Sequence, residues 1–282
     1  MPPALRLAMI ALAPVLLALF AGPSRAETPG SRAGALTGMQ TADEARGWGG
    51  VGKLLLGERG FCTGVLIGPR MVLTAAHCLF DKETGARTPD GLITFQAGWR
   101  NGRAEAYRGI RRSLAHPDYI YSGEDELERV GYDLALLELD QPILLPQLPP
   151  FDIGTRPGTG AAVSVVSYAR DRAEIPSIER DCRVISGLDP TLVLSCDIDF
   201  GSSGAPVFAV EAGVARVVSV ISAKAEYGGR KVALAVPIDA PLALLQAEFA
   251  AGAEERAPTV RVISGGGAGR PESGGGAKFV RP

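Results

Sequence analysis

An all-β body, arranged as barrels or sandwiches, is what the sequence predicts, and three observations predict it. Among 282 residues, 36 are glycine and 21 proline, a density of chain-bending residues that favours many turns. Short apolar runs recur along the chain with turn residues between them. A single stretch, near residue 245, has helical periodicity, so the strand-helix alternation of a parallel sheet is missing.

Residues 1–26 stand apart from the body. Arg6 gives a positive start, residues 7–20 form an apolar core interrupted by Pro14, and Ser24-Arg25-Ala26 offers the small residues a signal peptidase reads. The run is shorter than the roughly 20 residues a membrane-spanning helix needs. Cleavage after Ala26 is therefore expected, with a secreted or periplasmic product and no stable membrane insertion afterwards. Residues 27–47 are small and polar without a period, and read as a mature N-terminal extension or pro-segment.

From Trp48 the pattern changes to strands over 51–56, 61–67 with a Gly68-Pro69 turn, 71–74, 92–99, 106–112 and 133–139. These make a first half of about 48–140. A proline-rich connector over 141–157 leads to a second half of about 158–238, with strands at 161–168, 182–185, 192–196, 205–210, 214–222 and 231–238. Leu242, Leu244, Leu245 and Phe249 recur at helical spacing, predicting a terminal helix over 241–250. Residues 251–282 turn polar and glycine-rich and are expected to be disordered, since they lack the apolar area to offset their conformational entropy.

The formal net charge of −2 gives no electrostatic reason to expect nucleic acid or a membrane surface as partner. Only two histidines exist, His77 and His116, which excludes a His-Glu-x-x-His zinc helix and a Cys/His finger. No metal and no cofactor are expected. In an oxidising compartment Cys62, Cys78, Cys182 and Cys196 are disulfide formers rather than ligands, because no pair has Cys-x-x-Cys spacing. Three connectivities are open to them. Pairing in sequence order closes the two shortest loops, each contributing about 3 kcal/mol.

The chemistry centres on Gly201-Ser202-Ser203-Gly204-Ala205-Pro206, ahead of the apolar run Val207-Phe208-Ala209-Val210. A serine flanked by small residues at a turn into a strand presents its hydroxyl while neighbouring N–H groups face the same space. Gly-Ser clusters are also ordinary loops, so the reading needs a base and a carboxylate. His77, in Leu73-Thr74-Ala75-Ala76-His77-Cys78, ends an apolar run beside a cysteine that would pin its loop. A general base must be held within hydrogen-bond reach of its nucleophile, and a disulfide beside it serves that need. Asp133 opens the apolar strand Leu134-Ala135-Leu136-Leu137, where a buried carboxylate needs a donor such as an imidazole N–H.

The order His77, Asp133, Ser203 makes the resemblance specific. The chain resembles the chymotrypsin/trypsin family of serine peptidases, in its bacterial trypsin-like and glutamyl-endopeptidase-like branches. The resemblance rests on Phe61-Cys62-Thr63-Gly64-Val65-Leu66-Ile67, Val72-Leu73-Thr74-Ala75-Ala76-His77-Cys78, His116-Pro117-Asp118-Tyr119, Asp133-Leu134-Ala135-Leu136-Leu137 and Gly201-Ser202-Ser203-Gly204-Ala205-Pro206-Val207, in family order over 48–250. It implies two six-stranded antiparallel β-barrels with the active site in the cleft between them, and a C-terminal helix. It implies Ser203 as nucleophile, His77 as base and Asp133 as the group that orients the imidazole, with the N–H groups of Gly201 and Ser203 as oxyanion hole. Protein or peptide substrates and a monomer by default follow. A catalytically silent binding protein or an esterase on the same scaffold are the alternatives. An α/β-hydrolase is excluded, since no histidine follows Ser203.

Three departures from the family pattern stand out. Animal trypsins carry an aspartate before the nucleophile to pair with a new N-terminal amine; here Ser202 holds that place, so no such latch is expected. Asp197 lies six residues before Ser203, where cation-specific members carry the pocket aspartate. The preceding cysteine is seven residues before the serine instead of four, which leaves Asp197 as a plain turn residue the other reading, with Asp199 at the four position. The pocket wall is expected from Ser222, Ala223 and their neighbours, without the histidine that glutamate-specific relatives keep there. Lys224 and Lys231 either recharge that wall or are solvated strand lysines, and trypsin-like, small-residue and acidic preferences all stay open.

Overall fold

A computed structural model describes residues 36–58, 60–121 and 127–254; the expected leader and the glycine-rich stretch beyond residue 254 lie outside the described residues. Strands form where the apolar runs are. After β1 (Thr37–Gly38) come β2 (Val51–Leu56), β3 (Phe61–Gly68), β4 (Met71–Thr74), β5 (Ile93–Ala97), β6 (Ala106–Ala115) and, past the short helix α1 (Leu127–Val130), β7 (Ala135–Leu139). β2 to β7 pair antiparallel and close into a barrel in the order β2-β3-β4-β7-β6-β5. Closure removes free edges. Leu54, Val65, Leu73, Phe95 and Leu137 are fully buried in its core, each contributing roughly 1.5–3 kcal/mol over an exposed position.

The second half forms β8 (Ala162–Ala169), β9 (Arg172–Leu188), β10 (Thr191–Leu194), β11 (Pro206–Glu211), β12 (Val214–Tyr227) and β13 (Arg230–Pro237). Its ring runs β9-β10-β13-β12-β11-β8 and returns through the β8–β9 hairpin. β1 adds to the outside of β9, with Thr37 opposite Ile178. The expected two-barrel architecture is therefore present. The folded body begins before Trp48, because β1 is paired and Met39 is buried.

The barrels meet along β3, which touches β8 and β11 and is buried from Cys62 to Leu66. The connector crosses this seam: the Phe151 N–H donates to the Leu66 carbonyl at 2.9 Å, and Ile153 forms a parallel bridge with Val217. Trp48 and Phe151 pack on Phe208 with ring centroids at 5.0 and 4.7 Å, geometry that suits aromatic pairs. Helix α2 (Asp239–Glu254) then returns to the first barrel against β6 and β7. It buries Leu242, Leu245 and Phe249 and sets Phe249 under the Arg112 guanidinium at 4.1 Å. The helix starts two residues earlier and runs four residues later than its apolar spacing marks. β9 likewise begins ten residues before the expected 182–185, since Glu174, Pro176, Arg180 and Asp181 hide its apolar face.

Candidate active site

His77 is carried by a 3-10 turn, Ala76–Leu79, at the end of β4. The neighbouring Cys78 is bonded to Cys62 of β3, and Cys182 of β9 to Cys196 after β10, which is pairing in sequence order. Both disulfides use up the thiolates beside His77 and Glu179, the two places among the described residues where ligand-type atoms gather, so neither offers a metal a sulfur donor.

Asp133 lies just before β7 and is 3% exposed. Its Oδ2 meets His77 Nδ1 at 2.6 Å, its Oδ1 accepts the His77 backbone N–H at 2.8 Å, and Oδ2 also accepts the Ser222 hydroxyl. Burial by itself pushes this carboxyl up, but the His77 charge, its ring N–H, the Ser222 hydroxyl and the His77 amide together hold it below the ordinary carboxylate range. An ionised Asp133 fixes the proton on Nδ1 and leaves Nε2 as the acceptor.

The serine loop is shaped by the first barrel. The Thr63 N–H donates to the Ser203 carbonyl at 2.8 Å, and the Thr63 hydroxyl donates to the Gly201 carbonyl at 2.8 Å while accepting the Tyr168 N–H at 3.0 Å. Gly201 has φ +95°, and a Cβ there would run into the Phe61 ring and come within 2.9 Å of the Tyr168 carbonyl. Gly204, at φ +77°, would collide with Thr74 Oγ1 and the Thr63 carbonyl. Only glycine fits either position.

Within this loop the N–H groups of Ser202, Gly204 and Ala205 donate to Asp199, Ile221 and Ser202 carbonyls. Those of Gly201 and Ser203 donate to no group among the described residues. Ser202 is fully buried and its hydroxyl donates to Ser167 at 3.0 Å, whereas Ser203 opens on the cleft.

Two recesses flank Ser203 and His77. The first, about 300 Å³, is walled by Ile198, Asp199, Ile221, Ser222, Ala223 and Lys224, with Lys82 and Arg129 on its rim. The second, about 440 Å³, is bounded by Phe61, Phe80, Lys82, Arg170, Phe200 and Gly201. Ser222 and Ala223 are thus where the sequence put them. Asp197 is not: it is exposed, and its backbone N–H donates to Glu179 at 2.8 Å, outside both recesses. Asp199 faces the first recess instead and is paired with Lys224 at 2.7 Å; the Lys224 hydrogen bond and the Phe200 N–H hold its carboxyl low. Lys231 sits opposite Glu226 in the β12–β13 hairpin. Phe200 and Arg170 carry no local signal in the sequence, and Thr63, although it stands in the Phe61–Ile67 motif, has nothing local that marks its hydroxyl for the serine loop.

Two β-barrels meeting at a cleft with His77, Asp133 and Ser203 on it have the form of a trypsin-like peptidase. The chain belongs to that family: the trypsin-like peptidase domain matches residues 62–220. It is 27% identical over 150 residues to a glutamyl endopeptidase of Bacillus licheniformis, a match covering 53% of this chain and 45% of that protein, so less than half of that relative's length is spanned. A solved Glu endopeptidase in complex with MPD superposes with a TM-score of 0.63 at 18% identity, over 77% of this chain and 97% of that one, a likeness of fold. The chain is accordingly a chymotrypsin/trypsin-family peptidase, similar to the glutamyl endopeptidases.

Proposed function

We propose that this peptidase is an exported serine endopeptidase working through an acyl-enzyme. Ser203 Oγ attacks the scissile carbonyl carbon and its proton passes to His77 Nε2, while Asp133 keeps the ring oriented and stabilises the imidazolium. The oxyanion forms opposite the N–H groups of Gly201 and Ser203. The C–N bond then breaks, Nε2 returns the proton to the leaving amine, and water repeats the sequence to release the acid. The observation that carries this reading is the pair of undirected N–H groups beside Ser203, next to a histidine held by a buried carboxylate with three donors.

The first recess takes the side chain before the scissile bond. With Asp197 outside it and Asp199 neutralised by Lys224, a cationic side chain loses its counter-charge. With Lys224 matched by Asp199, Lys82 on that recess favours an acidic one, in keeping with the glutamyl endopeptidase named among the relatives. No Asp–amine latch operates, because Ser202 is engaged by Ser167. Residues 1–26 are the leader, the product is secreted or periplasmic, and proteins or peptides are its substrates.

A peptide panel varying only the residue before the scissile bond tests the reading, with wild type, Ser203→Ala and a serine-directed phosphonate. Cleavage after acidic residues and labelling of Ser203 are expected, with kcat lower by roughly 10⁴–10⁶-fold in Ser203→Ala. Absence of labelling in folded, disulfide-bonded protein would refute the nucleophile.

A further inference from the structure

We propose that the second recess is a carboxylate-binding subsite, in which Lys82 and Arg170, gathered on the ring of Phe200, read an acidic side chain at one of the two residues that follow the scissile bond. This rests on Ser203 as nucleophile and on the first recess as the seat of the residue before that bond; a peptide so placed runs its following residues into the second.

Phe200 immediately precedes Gly201 and is 58% exposed in the middle of the cleft. Three cations gather on its ring: Arg170 at 4.9 Å, Lys224 at 5.4 Å and Lys82 at 6.0 Å. They differ in one respect. Lys224 has Asp199 as partner, whereas the side chains of Lys82 and Arg170 make no ion pair or hydrogen bond with any described residue.

Those two come from different barrels, Lys82 from the loop after the His77 turn and Arg170 from the β8–β9 turn, where its backbone N–H donates to the Phe200 carbonyl at 2.7 Å. A ring face offsets part of the repulsion between two such cations, about 1 kcal/mol each; a carboxylate between them removes it.

Acidic groups already in this recess do not fill that role. Asp81 is turned into its own loop, accepting the N–H groups of Glu83 and Thr84 and the Thr84 hydroxyl. Glu83 is exposed and is a single charge against two. Two basic and two acidic side chains thus line this recess, and the positive charge open to a ligand is that of the two side chains gathered on Phe200, not an excess over the whole recess. Phe61 and Phe80 give apolar walls for the methylene of an acidic side chain, leaving its carboxylate at the rim.

The test compares peptides that share the best residue before the scissile bond and carry Glu, Gln or Lys at each of the next two positions. In wild type we expect kcat/KM for Glu over Gln to be higher by about 5–30-fold at one of them, with the ratio shrinking as salt shortens the Debye length from about 10 Å at 0.1 M to about 3 Å at 1 M. In Lys82→Gln/Arg170→Gln the ratio falls to about one, and in Lys82→Glu/Arg170→Glu Lys becomes preferred over Gln. The same peptides are titrated onto Ser203→Ala, where the Glu/Gln ratio of Kd reads the subsite without hydrolysis. A Glu/Gln ratio near one at both positions, or one unmoved by the double variants, overturns the subsite. If wild type neither cleaves nor takes the phosphonate, the nucleophile assignment has failed, and the Kd ratio on Ser203→Ala still decides the subsite.

Discussion

Asp133 shows how much one side chain depends on its partners. The His77 ring N–H, the His77 amide and the Ser222 hydroxyl all converge on its carboxylate, so Asp133→Asn replaces an acceptor by a group that favours the wrong imidazole tautomer. A fall in kcat of about 10⁴-fold with KM little altered is expected from steady-state kinetics. Thr63 acts one step further out, as a positioning residue that clamps the carbonyls of Gly201 and Ser203 from across the seam. Thr63→Val keeps the shape and loses the hydroxyl; kcat should drop roughly 10–100-fold with KM nearly constant, and Thr63→Ser should restore most of it. A purely structural role would instead lower the urea midpoint without this split. His77, Asp133 and Ser203 were legible because each stands in a short local pattern and their order excludes other arrangements. Thr63 and the Ser222 bond were not, since their partners lie 138 and 89 residues away and nothing local marks a hydroxyl for a distant acceptor.

Among the elements, strands read most clearly where one apolar run sits between turns, as β2 and β4 do. β9 escaped in part because it is long, is shared between β1, β8 and β10, and mixes charged residues with its buried ones. Helix α2 read from Leu242, Leu245 and Phe249, yet its docking on the first barrel is a tertiary fact. Leu245 is fully buried there, so Leu245→Ala should cost about 2–4 kcal/mol by urea unfolding. The helix lines neither recess, and kcat/KM below the unfolding transition should stay within about twofold.

For the whole molecule, stability against pH is set by carboxyls that burial and partners move in opposite directions. Glu179 is 1% exposed; burial, with the charges of Asp197 and Asp181 adding to it and the Asp197 N–H opposing, pushes it up to about 7 from an ordinary 4.5. Between those values the folded chain keeps a proton that the unfolded chain releases, so stability falls as pH rises through that window. Asp133 has the opposite sign: its lowered value stabilises above the ordinary carboxylate range and is lost as pH falls through it. Urea midpoints from pH 4 to 8 should therefore decline towards pH 8 on account of Glu179. Glu179→Gln should flatten that decline, by on the order of 2 kcal/mol; an unchanged slope would assign it to other groups.

The amino-acid sequence by itself determined the all-β character, the near-equal halves and the three residues proposed for the chemistry, because these depend on local periodicity, turn residues and motif order; which of three disulfide pairings forms was left to the fold. Only the tertiary structure decided which groups surround them. It moved Asp197 out of the cleft and Asp199 into it, set Thr63 against the serine loop, and gathered Lys82, Arg170 and Lys224 on Phe200. The specificity proposed for the two recesses depends on charges brought together from separate strands and turns of two barrels, and that proximity is a product of packing with no counterpart in residue spacing.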